Sequence, residues 1–315
     1  MPAGKEAGVE TRRIGTLEVS IVGLGCNNFG MRIGRKETDA VVGAALDHGI
    51  TFFDTADIYG GTRSESHLGA ALGARRDEIV LATKFGVPYE GHQGGASATY
   101  IRTAVEDSLT RLGTDRIDLY QLHVPDAKVP IAETLGELGN LVREGKVREI
   151  GCSNFSGPML EEARAALEDG SPGFASVQNH YNLLHREPED EVLPFCDRTS
   201  TAFLPYLPLA AGLLSGKYRA GEPPPEGTRL AAMGEAGTKQ MSEDRLEKVA
   251  SLGAVAAGEG HSVLELAIAW LLTRPAVASV IAGATRPEQV AANVGAARWT
   301  LGPELVARVD AVAPR

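Results

Sequence analysis

Asp54, Tyr59, Lys84 and His123 are of types that together can move a proton. A phenol alone titrates near ~10 and is a poor acid at neutral pH. A lysine cation beside it favours the phenolate and lowers that value, and a carboxylate beside the lysine keeps the lysine charged. A histidine can hydrogen-bond a substrate oxygen and help pass a proton. Such a set makes a tuned proton donor for a carbonyl oxygen. It is useful only if a nucleophile reaches the carbon, and hydride from a nicotinamide is the natural one. Taken singly, each residue has a plainer reading: Tyr59 as packing, Lys84 as a solvated strand end, His123 as a core histidine, Asp54 as a turn former or helix cap.

The elements that must position these residues alternate along the chain. Short apolar runs are expected as strands at 21–25, 51–54, 78–83, 116–122, 147–151, 175–178, 201–206 and 277–283. Their near-continuous apolar character is how a strand covered on both faces reads. Amphipathic stretches between them are expected as helices over 38–48, 66–72, 98–112, 131–143, 158–167, 188–198, 243–257, 263–273 and 287–295. Several stop at a glycine suited to a left-handed cap, among them Gly49, Gly73 and Gly113. Eight strands with helical crossovers point to an α/β fold, a (β/α)8 TIM barrel forming one domain over residues 1–315. An open doubly wound sheet satisfies the same pattern. Residues 12–20 are expected as a short N-terminal β-hairpin, and the Gly/Pro-rich stretch 215–242 as a long functional or disordered loop.

In a parallel barrel the site sits at the C-terminal ends of the strands. Asp54 ends the second expected strand, and Lys84 and His123 follow the third and fourth. Ser153 and Asn154 follow the fifth, Gln178 ends the sixth and Tyr206 the seventh, and Gly283, Thr285 and Arg286 come at the eighth. Polar or aromatic groups thus converge on one mouth, and the plain reading of all four proton-moving residues together loses force.

The net charge of −10 disfavours a polyanionic partner, so nucleic acid is not expected. Cys26, Cys152 and Cys196 are scattered and lack CxxC spacing, which argues against a disulfide framework or a zinc site. His180 and His185 have no third ligand nearby, so no metal is expected. The N-terminal MPAGKEAGVETRR has no apolar core to serve as a secretory signal, and no apolar run is long enough to span a bilayer. A cytoplasmic protein without a membrane partner is the expectation. GLGCNNFG is not a dinucleotide loop: Asn28 stands where GxGxxG needs glycine.

Several longer motifs resemble the aldo-keto reductase superfamily, in the branch of bacterial reductases and channel β-subunit-like proteins. They are GLGCNNFG (23–30), FFDTADIYGGTRSE (52–65), ATKFG (82–86), SLTRLGTDRIDLYQLHVPD (108–126), GKVREIGCSNFS (145–156), LPLAAGLLSGKY (207–218) and IAGATRPEQVAANV (281–294). The resemblance implies the (β/α)8 barrel and an NADP(H)-dependent reductase of aldehydes or ketones. Tyr59 would be general acid for reduction and base for oxidation, Lys84 would lower its pKa, Asp54 would pair with Lys84, and His123 would orient the carbonyl. Ser153, Asn154 and Gln178 would hold the nicotinamide carboxamide, and Tyr206 would stack on its ring. Gly212, Leu213, Ser215 and Lys217 would clasp the pyrophosphate under a long cofactor-covering loop, with Leu207 and Leu209 also against the cofactor. Gly283, Thr285, Arg286, Gln289 and Asn293 would meet the 2′-phosphate end, where a helix N-terminus also favours anions. Leu207 stands where many relatives carry serine, Gln289 where some carry arginine, and Ala292 where many carry an acid. The departures at Gln289 and Ala292 keep NAD(H) as second choice; Arg286 favours NADP(H).

Substrate-pocket candidates are Asn28, Phe29 and Tyr89. With little chain after the last short helix, the expected pocket is open, with broad activity on small-molecule aldehydes, sugar-derived or aromatic. Two other readings stand beside this one: a nicotinamide-binding, redox-sensing accessory subunit of a partner protein, and an unrelated hydrolase on the same barrel. Oligomeric state is left open.

Overall fold

The computed structural model describes residues 9–315. The first eight residues, part of the stretch read above as lacking a secretory signal and of the expected single domain, lie outside the described residues. A hairpin, β1 (Thr11–Ile14) and β2 (Leu17–Ser20), precedes eight strands. These are β3 (Val22–Gly25), β4 (Phe52–Asp54), β5 (Val80–Phe85), β6 (Ile117–Leu122), β7 (Val147–Ser153), β8 (Ser176–His180), β9 (Ala202–Tyr206) and β10 (Val280–Gly283). They pair in parallel in the order β10-β3-β4-β5-β6-β7-β8-β9.

The expected eighth strand, 277–283, is in two pieces. Val280–Gly283 pairs with β3. Upstream, Val277 bridges Phe203 of β9, and Ala278 N–H donates to the Phe203 carbonyl at 3.0 Å. One segment therefore touches both of its neighbours and brings the sheet to a nearly closed barrel. Eight parallel strands alternating with helices in this way make the (β/α)8 architecture rather than an open sheet.

The helices are α1 (Arg35–Asp47), α2 (Arg63–Leu72), α3 (Ala98–Leu112), α4 (Ile131–Arg143), α5 (Gly157–Ala165), α6 (Val192–Thr199), α7 (Arg229–Ala232), α8 (Glu235–Gln240), α9 (Glu243–Gly258), α10 (Val263–Leu272), α11 (Pro287–Ala296) and α12 (Pro303–Val312). α3 shows why its sequence is helical: Ser97 caps its start by accepting from Tyr100 N–H, and Gly113 ends it at φ 64°. Ile101, Val105, Leu109 and Leu112 form its buried stripe. The stretch 215–242 differs from the expected loop, because it contains α7 and α8. Both are too short to show a helical period in sequence, but Leu230 is buried and anchors them. α6 starts later than expected, after a 3-10 turn at Glu187–Glu189 that contains Pro188.

Inside the barrel the period of two sorts side chains by height. Phe52, Val80, Ala82, Leu119, Ala202 and Leu204 form an apolar interior with Ile14, Leu17 and Val19 of the hairpin, which plugs the N-terminal end. The hairpin turn needs glycine at Gly15 (φ +55°), since a Cβ there would lie 2.6 Å from the Glu149 carboxylate. That carboxylate accepts from Thr16 N–H at 2.8 Å. Two residues beyond Phe52, Ala82 and Leu119 along their strands the inward positions turn polar: Asp54, Lys84 and Gln121, joined by Gln178.

Candidate active site

At the C-terminal mouth, Lys84 Nζ donates to Asp54 Oδ2 at 2.6 Å and to the Thr55 carbonyl at 2.8 Å. Asp54 is 3% exposed and Lys84 0%, so this is an ion pair inside the barrel. Burial works against the Lys84 charge, but Asp54 and then Tyr59 outweigh it and hold its pKa above the ordinary lysine value. Asp54 Oδ1 accepts from Gln121 Nε2 at 3.1 Å and from Gln178 Nε2 at 3.0 Å. The carboxylate is thus fixed from three strands.

Tyr59 lies on the loop after β4, with Lys84 Nζ 5.3 Å from its ring centroid. The turn that follows needs glycine: Gly60 has φ +61°, and a Cβ there would lie 2.5 Å from the Phe29 carbonyl oxygen. Lys84 lowers the Tyr59 pKa as expected, but burial outweighs it. Burial raises it first, the Lys84 charge lowers it, Asp54 raises it again, and the sum is above the ordinary phenol value. His123 meets the Tyr59 ring edge-on at 5.7 Å and 81°. Burial first, and then the Lys84 charge, push the His123 pKa down to about 3. The imidazole is therefore neutral at physiological pH, and its Nδ1 is buried without a partner.

Ser153, Asn154, Gln178 and Tyr206 gather around the same mouth and are bonded to one another. Ser153 Oγ donates to the Gln178 carbonyl at 2.7 Å, and Asn154 Nδ2 to the His123 carbonyl at 2.9 Å. Tyr206 hydroxyl donates to Asn154 Oδ1 at 2.8 Å. Asn154 sits at φ 62°, a left-handed conformation that asparagine tolerates better than most residues.

Beside the mouth lies a cavity of about 630 Å³. It brings together Asn28, Leu207, Leu209, Gly212, Ser215, Lys217, Gly283, Thr285, Arg286, Gln289 and Asn293 from distant parts of the chain. Thr285 N–H donates to Gln289 Oε1 at 2.7 Å, which fixes the chain just before α11. Two residues that sequence reasoning missed line the same cavity, Arg32 and Arg229. Arg32 donates to the Gly227 carbonyl at 2.9 Å and so ties the segment before α7 across the groove. The pKa of Lys217 is pulled down by burial and then by Arg32 and Arg286, and that of Arg229 by burial and then by Arg32. Among the described residues none of Arg32, Lys217 and Arg229 has an ion-pair partner. The groove is a concentration of positive charge on a chain of net charge −10. Its size, its cations and the N-terminus of α11 fit an extended dinucleotide.

Three expected site residues are placed elsewhere. The Phe29 side chain is 0% exposed in the apolar core, so it offers no surface to a substrate. Leu213 is likewise 0% exposed and lies in the apolar core, outside the cavity lining. Tyr89 stacks on His92 at 4.3 Å, and its hydroxyl interacts with Arg111 of α3, outside the cavity lining. Gln121 was the missed member of the Asp54 network.

Comparison with known proteins shows the family of the chain. A model of the aldo/keto reductase family matches residues 21–314. The aldo-keto reductase YhdN of Bacillus subtilis (strain 168) is 37% identical over 297 residues, covering 91% of this chain and 88% of its own. The uncharacterized oxidoreductase YrpG of the same organism is 36% identical over 312 residues, covering 95% and 93%. A probable voltage-gated potassium channel subunit beta of Oryza sativa subsp. japonica is 34% identical over 296 residues, covering 90% and 89%.

Proposed function

Since the chain belongs to the aldo/keto reductase family, a family of oxidoreductases that use nicotinamide cofactors, we propose that it reduces aldehydes or ketones with NADP(H) and that Tyr59 is its general acid. The observation that carries this reading is the buried Lys84, kept charged by Asp54 and set 5.3 Å from the Tyr59 ring. A bound nicotinamide supplies hydride to the carbonyl carbon. Tyr59 gives its proton to the carbonyl oxygen as that oxygen gains charge, and Lys84 stabilises the phenolate left behind. Burial alone holds the Tyr59 proton too tightly; the Lys84 cation opposes it. His123, neutral, offers an N–H that orients the substrate oxygen without competing as an acid. In the oxidative direction Tyr59 phenolate takes the alcohol proton.

Ser153, Asn154 and Gln178 would hold the carboxamide, and Tyr206 the ring face. The three cations without acid partners, with Arg286 at the start of α11, support the phosphorylated cofactor, which carries a phosphate monoester that NAD(H) lacks. A cytoplasmic setting follows from this reading, since NADP(H) is an intracellular cofactor. Among the described residues no single helix is long and apolar enough to cross a membrane.

The reading is tested by mixing the protein with NADPH or NADH and a panel of aromatic and sugar-derived aldehydes and ketones. Aldehyde-dependent oxidation of NADPH across the panel is the expected result. High turnover of one ketone beside uniformly low turnover of the aldehydes would remove the broad-aldehyde part. Neither binding nor oxidation of NADPH would remove the whole. The plant relative with a channel-subunit name supports a second reading, a redox-sensing accessory subunit. Brisk turnover by the free protein opposes it.

A further inference from the structure

Two histidines, at the end of β8 and in the turn after it, build a stack of rings. His180 and His185 stack on each other with centroids 3.9 Å apart and planes 11° apart. On its other side His180 stacks against Tyr206 at 5.5 Å and 10°. The pairing of β8 with β9 sets His180 beside Tyr206. Three rings thus form one column of nearly parallel planes.

Asn182, 0% exposed, ties this column to the next turn. Its Nδ2 lies 3.1 Å from His180 Nε2 and donates to the Leu207 carbonyl at 2.8 Å. Two hydrogens meet two acceptors, so His180 Nε2 is the unprotonated nitrogen of a neutral ring. Burial, then His185 and Arg245, pull the His180 pKa down to about 4, which keeps the His180 ring uncharged at neutral pH. Asn182 Oδ1 accepts from Leu184 N–H at 2.8 Å, and Asn182 and His185 exchange backbone hydrogen bonds at 3.1 and 3.0 Å. The turn it holds is strained: Leu207, Ala210 and Ala211 have φ of 53°, 47° and 57°, though none is glycine. Such conformations persist only where the surroundings enforce them.

We propose that His180, Asn182 and His185 form a bracket that fixes the plane of Tyr206 and the turn at Leu207, and so are positioning residues for the nicotinamide end of the cofactor. Two constraints define the Tyr206 plane: its hydroxyl is tied to Asn154 at 2.8 Å, and one face is covered by His180. Tyr206 remains partly exposed, and its opposite face is the surface a nicotinamide ring would cover. The inference rests on the nicotinamide reading above. It adds that the platform is set by residues that touch no ligand.

The test compares dissociation constants for NADPH and for adenosine 2′,5′-bisphosphate, which lacks the nicotinamide half, in wild type, His180→Ala, His180→Phe and His185→Ala. Loss of one stacked ring predicts NADPH binding weakened about tenfold in His180→Ala, with the bisphosphate changed by less than about twofold. His180→Phe, which keeps a ring in the column, restores most of the loss, and His185→Ala shows a smaller loss of the same kind. Equal weakening of both ligands in His180→Ala, or unchanged NADPH binding, overturns the proposal. Wild type that binds the bisphosphate but gains nothing from the nicotinamide half overturns the nicotinamide reading itself.

Discussion

Lys84 keeps its charge inside the barrel because Asp54 stands 2.6 Å away and Gln121 and Gln178 hold that carboxylate in turn. Three residues beyond Asp54, Asp57 has no such help. It is 0% exposed. Burial, and then the nearby Glu65, raise its pKa from 3.8 to about 7, against the Ile58 backbone N–H and the pull of Arg111 and Lys84. The folded protein therefore holds this proton more tightly than the unfolded chain does. The stability it contributes is full below the unfolded pKa and is lost as pH rises through the folded one. Asp57→Asn removes the titration. Its melting temperature relative to wild type should rise by at least about 3 °C between pH ~5 and pH ~8. A constant difference across that range would show that Asp57 does not titrate there. His123, neutral down to about pH 3, adds no limb of its own to an activity profile at neutral pH.

Strand ends were readable in the sequence because the period of two leaves little choice. Once Phe52 and Ala82 point inward, Asp54 and Lys84 do as well. The same period turns Gln121 inward, two residues beyond Leu119, but in IDLYQL it lies one residue inside the strand end where site residues are sought. Loop residues have no such constraint, and there the expectations went astray. Phe29 turned into the core, and Tyr89 turned towards α3. Arg32 and Arg229 escaped notice because the groove exists only when α7 folds back over it; the bond from Arg32 to Gly227 spans 195 residues of sequence. At the start of α11 the helix N-terminus and Arg286 face the same groove, and the arginine side chain is 66% exposed. Arg286→Ala should weaken NADPH binding roughly tenfold and leave NADH binding nearly unchanged. Titrating both cofactors into both proteins checks this. An unchanged ratio of the two constants would mean that Arg286 does not read the 2′-phosphate.

At the scale of the molecule, the count of eight strands was visible in sequence but closure was not. It depends on a contact between Phe203 and Val277 that a strand pattern does not display. Closure matters because it brings the ends of β4, β5 and β6 and the loop bearing Tyr59 to one mouth. Below them the hairpin seals the floor with Ile14, Leu17 and Val19, so the interior opens at the mouth rather than through the barrel. The cationic groove stands against a net charge of −10, so a phosphorylated ligand, as proposed, would find its favourable charge in that one groove. Under the proposed function all of these features serve one chemical act, transfer of a proton from Tyr59 to a carbonyl oxygen. The direct measurement is single-turnover reduction of an aromatic aldehyde by Tyr59→Phe, with the NADPH dissociation constant measured on the same preparation. The account predicts a loss of at least about a hundredfold in the rate, with cofactor affinity within about twofold of wild type. Turnover near the wild-type rate with NADPH bound would contradict it.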